Sequence, residues 1–331
     1  MDAEALQGPI SGDNPCGESF EDTQELASFD AYRIFGQTSL NPDLDWREIQ
    51  SRSLEFLGRS KDFRFLTHLA AAVIRTQGVE ALVQTLQVAA GWLKDYWPTV
   101  YPLIDDDAIL RRNALNGFAD NMALLDALRR TPLVANRQLG SFSFRDTEMA
   151  GGRLPVPEGE SAPGEDQIRA ALSAAPEAVV KLDGLLEAGQ QAVKQICQIM
   201  MDQGGGTEAI PDLNTLTGTF AKMRVVLKPH VAAAAASAAA EVADATAGDG
   251  APAARAGSGA GMPQGIGSRD DAVRALDAVL AYFRTHEPSS PVPLLIERAK
   301  RLVARDFLEV LAELVPEALV EAKRVGGIRD Q

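Results

Sequence analysis

The stretch DWREIQSRSLEFLGRSKDFRFLTHLAAAVIRTQGVEALVQTLQVAAGWLKDYW (residues 45–97) decides the fold class. Its apolar side chains recur at three- and four-residue steps, the period of one face of an α-helix. Trp46, Ile49, Leu54 and Leu57, with Ser53 between them, form a first stripe. Asp45 stands where an N-cap belongs, and Glu48 lies three residues on, as in a capping box. A second helix is predicted over 63–76 and carries Phe65, Leu66, Leu69, Ala72 and Val73 on one side, with Gly78 ending it. A third covers 79–92, with Leu82, Leu86, Ala89 and Ala90 facing inward and Leu93 continuing the stripe. Three helices in close succession, with no alternating run of useful length, predict an all-α fold.

The pattern extends in both directions. A single helix is predicted over 109–130, through Leu115, Phe118, Met122, Leu125 and Leu128. Between it and the third helix, DYWPTVYPLIDDD is a proline-punctuated connection. Residues 140–163 read as a long loop, with room for one short strand. Helices resume at about 165–174, 177–203 and 213–227. The alanine run 232–240 either extends the last of these, since alanine has the best helix propensity, or frays as a tail.

Composition divides the 331 residues into three segments. Residues 1–231 form a helical domain that carries most of the net charge of −14. Residues 232–267 are mainly Ala, Gly, Pro and Ser, and are predicted to be a flexible linker, because they offer little apolar surface to offset the entropy of ordering. Residues 268–331 read as a small helical domain. Ser268 is an N-cap, Asp270 and Asp271 favour the positive end of the helix dipole, and Val273, Leu276, Val279, Leu280 and Phe283 make one stripe. Leu294, Leu295, Ala299 and Leu302 make a second stripe after a three-proline break, and Phe307, Leu308, Leu311, Leu314 and Val315 a third. A domain this small is marginal alone, and oligomerisation is a common remedy. The candidate assembly residues are Val279, Leu280, Phe283, Leu294, Leu295, Leu308 and Leu311.

Charge and composition also exclude functions. An acidic chain lacks the basic face that nucleic acid or an anionic membrane requires. Residues 1–11 have neither the positive nor the apolar region of an export signal, which predicts a cytoplasmic protein. Two cysteines, Cys16 and Cys197, make no disulfide framework. No cofactor or metal motif appears. Asp105-Asp106-Asp107 lacks the spacing of a calcium loop and reads as a solvated run capping the next helix. His286-Glu287 has no second histidine for a zinc site, and Gly204–Gly206 has neither the strand nor the lysine of a phosphate loop. Cys16, in GDNPCGES, is either a loop nucleophile or part of an ordered entry turn, and no histidine among His68, His230 and His286 is nominated as its base. Trp92 and Trp97 read as core aromatics at a helix end, not as a ligand platform. The pairs Arg111-Arg112 and Arg129-Arg130 read as solvated or salt-bridged faces.

Five blocks then fall in one order: PISGDNPCGESFEDT (9–23), DWREIQSRSLEFLGRSKDFR (45–64), YWPTVYPLIDDDAILRRNALNGF (96–118), ALRRTPLV (127–134) and GSFSFRD (140–146). Together they resemble the ImpA N-terminal domain of the TssA family of type VI secretion systems. The segment 269–303 is similar to the ending of shorter members. The resemblance implies a non-enzymatic, cytosolic assembly component with a ring-forming C-terminal region. It further implies baseplate, sheath and Hcp tube proteins as partners; net charge argues against nucleic acid, and the lack of about 20 consecutive apolar residues against membrane insertion. Two alternatives are a monomeric adaptor that takes a partner helix in an apolar groove, and an enzyme using Cys16 or the acids at 105–107.

Overall fold

In a computed structural model, the described residues are 2–245 other than 106 and 158, then 273, 275–277, 279–281, 284 and 292–303. The chain divides into two compact units, Met1–Gly248 and Asp249–Gln331.

The first unit is built on α4 (Phe63–Thr76), whose side chains are buried on every side, with only Arg64, Arg75 and Thr76 reaching the surface. The sequence assigns this helix one apolar side. It is instead the central rod, enclosed by α3 (Trp46–Leu57), α5 (Val79–Asp95) and α6 (Ile109–Asn116). Its three consecutive alanines let neighbours approach closely, which is why a helix without large residues all round can still be a core. Short helices α1 (Ala3–Gln7) and α2 (Gln24–Asp30) complete this half. Asp45 caps α3 through Arg47 N and Glu48 N. The reciprocal half of the expected box is not made, because the Glu48 carboxylate accepts from Tyr32 Oη instead.

Four phenyl rings tie the N-terminal segment to this core. Phe20, Phe29 of α2, Phe56 of α3 and Phe65 of α4 stack or meet edge to face with centroids 4.9–5.5 Å apart. Such pairs add to the burial of large apolar surface.

The helix expected over 109–130 is broken. After α6 come a 3₁₀ turn (Gly117–Ala119), extended Asp120, a π turn (Asn121–Leu125) and α7 (Asp126–Arg130). Asp120 causes the break with its side chain. One carboxylate oxygen accepts from Met122 N and Ala123 N, and the other from Gly36 N across the fold. A short acid that satisfies backbone donors outside the helix competes with the helix itself.

The stretch expected as a loop also holds structure. Strand β1 (Pro132–Asn136) pairs antiparallel with β2 (Gly140–Ser143), placing Val134 opposite Phe142. Then α8 (Phe144–Ala150) starts on a true capping box between Ser143 and Asp146. Helices remain the architecture, with this one hairpin among the described residues. α9 (Glu165–Ser173) leads into α10 (Pro176–Gln203) and α11 (Asn214–Ala245), a long hairpin laid on α5. Gly189 permits the close contact: a Cβ there would stand 2.9 Å from the Phe220 ring. Arg224 of α11 fixes the pair by binding Asp183 and Glu187 of α10. α11 runs through the alanine run to Ala245, well beyond 227, so residues 232–245 of the expected linker are helical. The remainder of that linker, 246–267, lies outside the described residues.

In the second unit, helical residues lie between 273 and 284, and α12 spans Val292–Val303. Lys300 pairs with Asp277, and Arg284 with Glu297, joining the two helical segments. The third stripe, 307–315, lies outside the described residues.

Candidate functional site

The 9–20 segment, where a reactive cysteine was the functional alternative, is clamped to the end of α3. Lys61 N donates to Cys16 O at 2.8 Å, and Glu18 N to Arg59 O at 3.1 Å. Gly17 has φ +74°, and a Cβ there would lie 1.9 Å from Arg59 O, so only glycine fits. Asn14 Nδ2 and Tyr101 Oη both donate to Gly17 O. Within this turn the Cys16 side chain is fully buried, its sulfur 3.3 Å from Thr99 Oγ1. Burial pushes the thiol pKa up. That is opposite to what a nucleophile needs, since the thiolate is the reactive form. No described histidine serves as its base. His68 is packed edge-on against Phe29 and Phe35 with Nδ1 at Arg64 O, and burial lowers its pKa. His230 faces Ser173. His286 and Asp106 lie outside the described residues. Asp107 accepts from Ile109 N, the first residue of α6, although the N-cap position itself is Ala108 and makes no side-chain bond. Among the described residues no group of three or more His, Cys, Asp or Glu is placed to hold a metal ion.

Two buried cations organise the surroundings, and neither is paired with a carboxylate. Lys61 Nζ donates to Leu6 O at 2.7 Å and sits over the rings of Trp92 and Tyr96 at 5.0 and 5.2 Å. Trp92 Nε1 shares the same carbonyl at 2.8 Å, so α1 is pinned onto α5 from two sides. Burial lowers the Lys61 pKa to about 8. Arg111 overturns the expectation of a solvated or salt-bridged side chain, because it is fully buried. It donates to Trp97 O (2.9 Å), Val100 O (2.6 Å) and Pro102 O (3.1 and 2.9 Å), and lies 4.7 Å from the Trp97 ring centroid. Burial lowers its pKa to about 10. The guanidinium fork is spent on the backbone of the proline-punctuated connection, a geometry only arginine supplies. The other arginines of the two pairs conform: Arg129 pairs with Glu148, Arg130 with Asp126, and Arg112 donates to Glu208 O. Trp92 is fully buried and Trp97 partly so, as core aromatics.

Two clefts and an exposed apolar helix face remain among the described residues. A polar cleft of about 690 Å³ opens between α2, α4 and α6, lined by Glu21, Asp30, Arg64, His68, Asn113 and Asp120. An apolar groove of about 770 Å³ runs between the start of α10 and the alanine run of α11, lined by Leu172, Pro176, Val180, Val231 and Ala234. In the second unit, Leu294 and Leu295 of α12 are 72% and 64% exposed and Val279 is 41% exposed, whereas Leu280 is buried. Phe283, Leu308 and Leu311 lie outside the described residues. A further apolar set, Leu103, Ile109 and Leu110, was missed. The available signal was that Ile109 and Leu110 fall off the stripe leading to Leu115.

Comparison with known proteins adds three findings. Residues 7–120 match the family described as ImpA, N-terminal, type VI secretion system. The chain is 29% identical over 343 residues to the type VI secretion system component TssA1 of Pseudomonas aeruginosa, covering 99% of this chain and 98% of that protein. In fold, it is similar to the N-terminal domain, including the conserved ImpA_N region, of the TssA component from Burkholderia cenocepacia. That likeness has a TM-score of 0.56 at 22% identity and covers 70% of this chain and 94% of the other.

Proposed function

From the premise that this chain belongs to the TssA family of type VI secretion system components, we propose that it is a cytoplasmic, non-enzymatic scaffold that organises baseplate and sheath or tube assembly as a homo-oligomeric ring. Domains at 1–231 and 268–331 divide the work. The C-terminal domain forms the ring, and the N-terminal domains are arms that gain avidity for a repeated lattice by being tethered together. The observation that carries this reading is α12. Adjacent leucines exposed by 72% and 64% on one short helix are apolar surface that a subunit leaves unburied. A second copy would remove that surface from water. The proposed assembly set keeps Val279, Phe283, Leu294, Leu295, Leu308 and Leu311 and drops Leu280, which is buried within its own unit. The test is the mass in solution of the full chain beside Leu294→Asp/Leu295→Asp. Assembly through α12 gives a large wild-type particle and a smaller variant with unchanged helicity. Identical masses overturn it.

A second reading, a monomeric adaptor holding a partner helix, draws on the apolar groove beside the α11 alanine run. It requires a wild-type mass of one chain.

A further inference from the structure

α10 and α11 pack as an antiparallel pair, but α11 does not stop where α10 begins. Gly189 against Phe220, and Asp183 against Arg224, set the register of the pair. That register puts Pro176, the first residue of α10, level with residues 231–233 of α11. α11 continues to Ala245, so roughly its last 12 residues, about 18 Å of helix, run past the start of α10. The apolar groove lies at this step. Pro176 and Val180 line it from α10, Val231 and Ala234 from α11, and Leu172 from α9. Val180 is 46% exposed. Ser173 and His230, which also line the groove, meet at 3.2 Å and tie α9 to α11 there. A wall of alanines lets a second helix approach closely, provided that its own contact residues are small as well.

Charge along α11 identifies the occupant. From Pro229 to Ala240 the helix has no Asp, Glu, Lys or Arg, in a chain of net charge −14. Its bases, Lys222, Arg224 and Lys228, all precede this run, and its acids, Glu241 and Asp244, follow it. Arg224 is spent on α10. Lys222 and Lys228 are exposed, and no described carboxylate pairs with either. Two copies of α11 laid antiparallel across the uncharged run set the basic stretch of each beside the acidic stretch of the other. Parallel packing would set like charge beside like. The antiparallel arrangement is two-fold, so it fills both grooves at once and closes. We infer that the groove at the start of α10 is a self-association site of the first unit, filled by the alanine run of α11 from a second copy. This contact goes beyond the proposed ring and needs no part of it, because it lies on the other unit. It takes for a second copy the groove that the adaptor reading gives to a partner helix.

The experiment measures mass by sedimentation over a range of concentrations. It uses the full chain and its Leu294→Asp/Leu295→Asp form, each with and without Val180→Asp or Ala234→Glu. Circular dichroism and thermal melts are the folding control. With the α12 leucines replaced, the chain is expected to weigh two subunits. Val180→Asp and Ala234→Glu should each weaken that dimer by roughly tenfold or more. Lys228→Glu should weaken it at low salt, and adding Glu241→Lys/Asp244→Lys in the same chain should restore it. Groove variants that leave the mass of both backgrounds unchanged overturn the site, as does an α12 variant that is a single subunit at every concentration. A charge exchange that restores nothing overturns the antiparallel occupant. A purified baseplate, sheath or tube protein that binds the wild type but not Val180→Asp, with the mass unchanged, also overturns the site and gives the groove to a partner. Failure of the ring reading is seen separately: it is an α12 variant with the mass of the wild type, in which the groove variants still lower that mass.

Discussion

Helices α4 and α12 are of similar length and opposite circumstance. α4 offers apolar or small side chains on nearly every face, and the first unit covers them all. α12 carries its leucines on the same helix as Glu297, Arg298 and Lys300, and the two leucines are exposed. Among the described residues the apolar side chains of the first helix are covered, and the leucines of the second are exposed. Where apolar surface is already met within a subunit, substitution tests folding; where it is not, substitution tests assembly.

The sharpest form of that contrast is a pair of substitutions. Phe65→Ala in α4 removes a fully buried ring from the four-phenyl cluster, and a loss of about 3–5 kcal/mol of stability is expected by chemical denaturation. Leu294→Asp/Leu295→Asp should leave the unfolding midpoint of the first unit in place and reduce the particle mass. If the α12 variant unfolds the first unit, or the α4 variant changes only mass, the contrast fails.

Lys61 offers a gentler test within the completed half. Its pKa is about 8, below the ordinary lysine value, because burial penalises the charge. The unfolded chain therefore binds more protons than the folded one above pH 8, so the contribution of Lys61 to stability rises as pH climbs from about 8 toward 10. Lys61→Met should abolish that rise, seen as the difference between the two unfolding curves. It should cost little at neutral pH, because Trp92 Nε1 still serves Leu6 O. A pH-independent difference would show that the ammonium is solvated. Smallest in energy is Cys16: alkylation of the native chain near neutral pH should be slow, and fast after denaturation. Rapid native labelling would reopen the case for a nucleophile.

The sequence-to-structure correspondence follows the same divide. α3, α4 and α5 were legible because local periodicity, and Asp45 at the start of α3, agree with the packing, although α4 is buried on every side and not on one. The break at Asp120 was not, since it depends on a bond to Gly36 N, eighty-four residues away. Nor was the burial of Arg111: in sequence it is one of two adjacent arginines, and only the fold brings the carbonyls of Trp97, Val100 and Pro102 to it. α8 escaped notice because glycines and prolines follow it closely, although its Ser143–Asp146 box was written in the sequence. Of the candidate assembly residues, Leu294 and Leu295 lie on an exposed face, while Leu280 is buried within its unit. Periodicity identifies an apolar stripe without saying which copy of the chain covers it.

In the proposed ring, other copies of the chain cover the exposed leucines of α12. Its most direct test is the absolute mass in solution of the full chain, by light scattering after size exclusion. Ring assembly predicts a discrete multiple of 35.3 kDa that falls when Leu294 and Leu295 are both replaced by aspartate. A particle of 35.3 kDa at every concentration would contradict it.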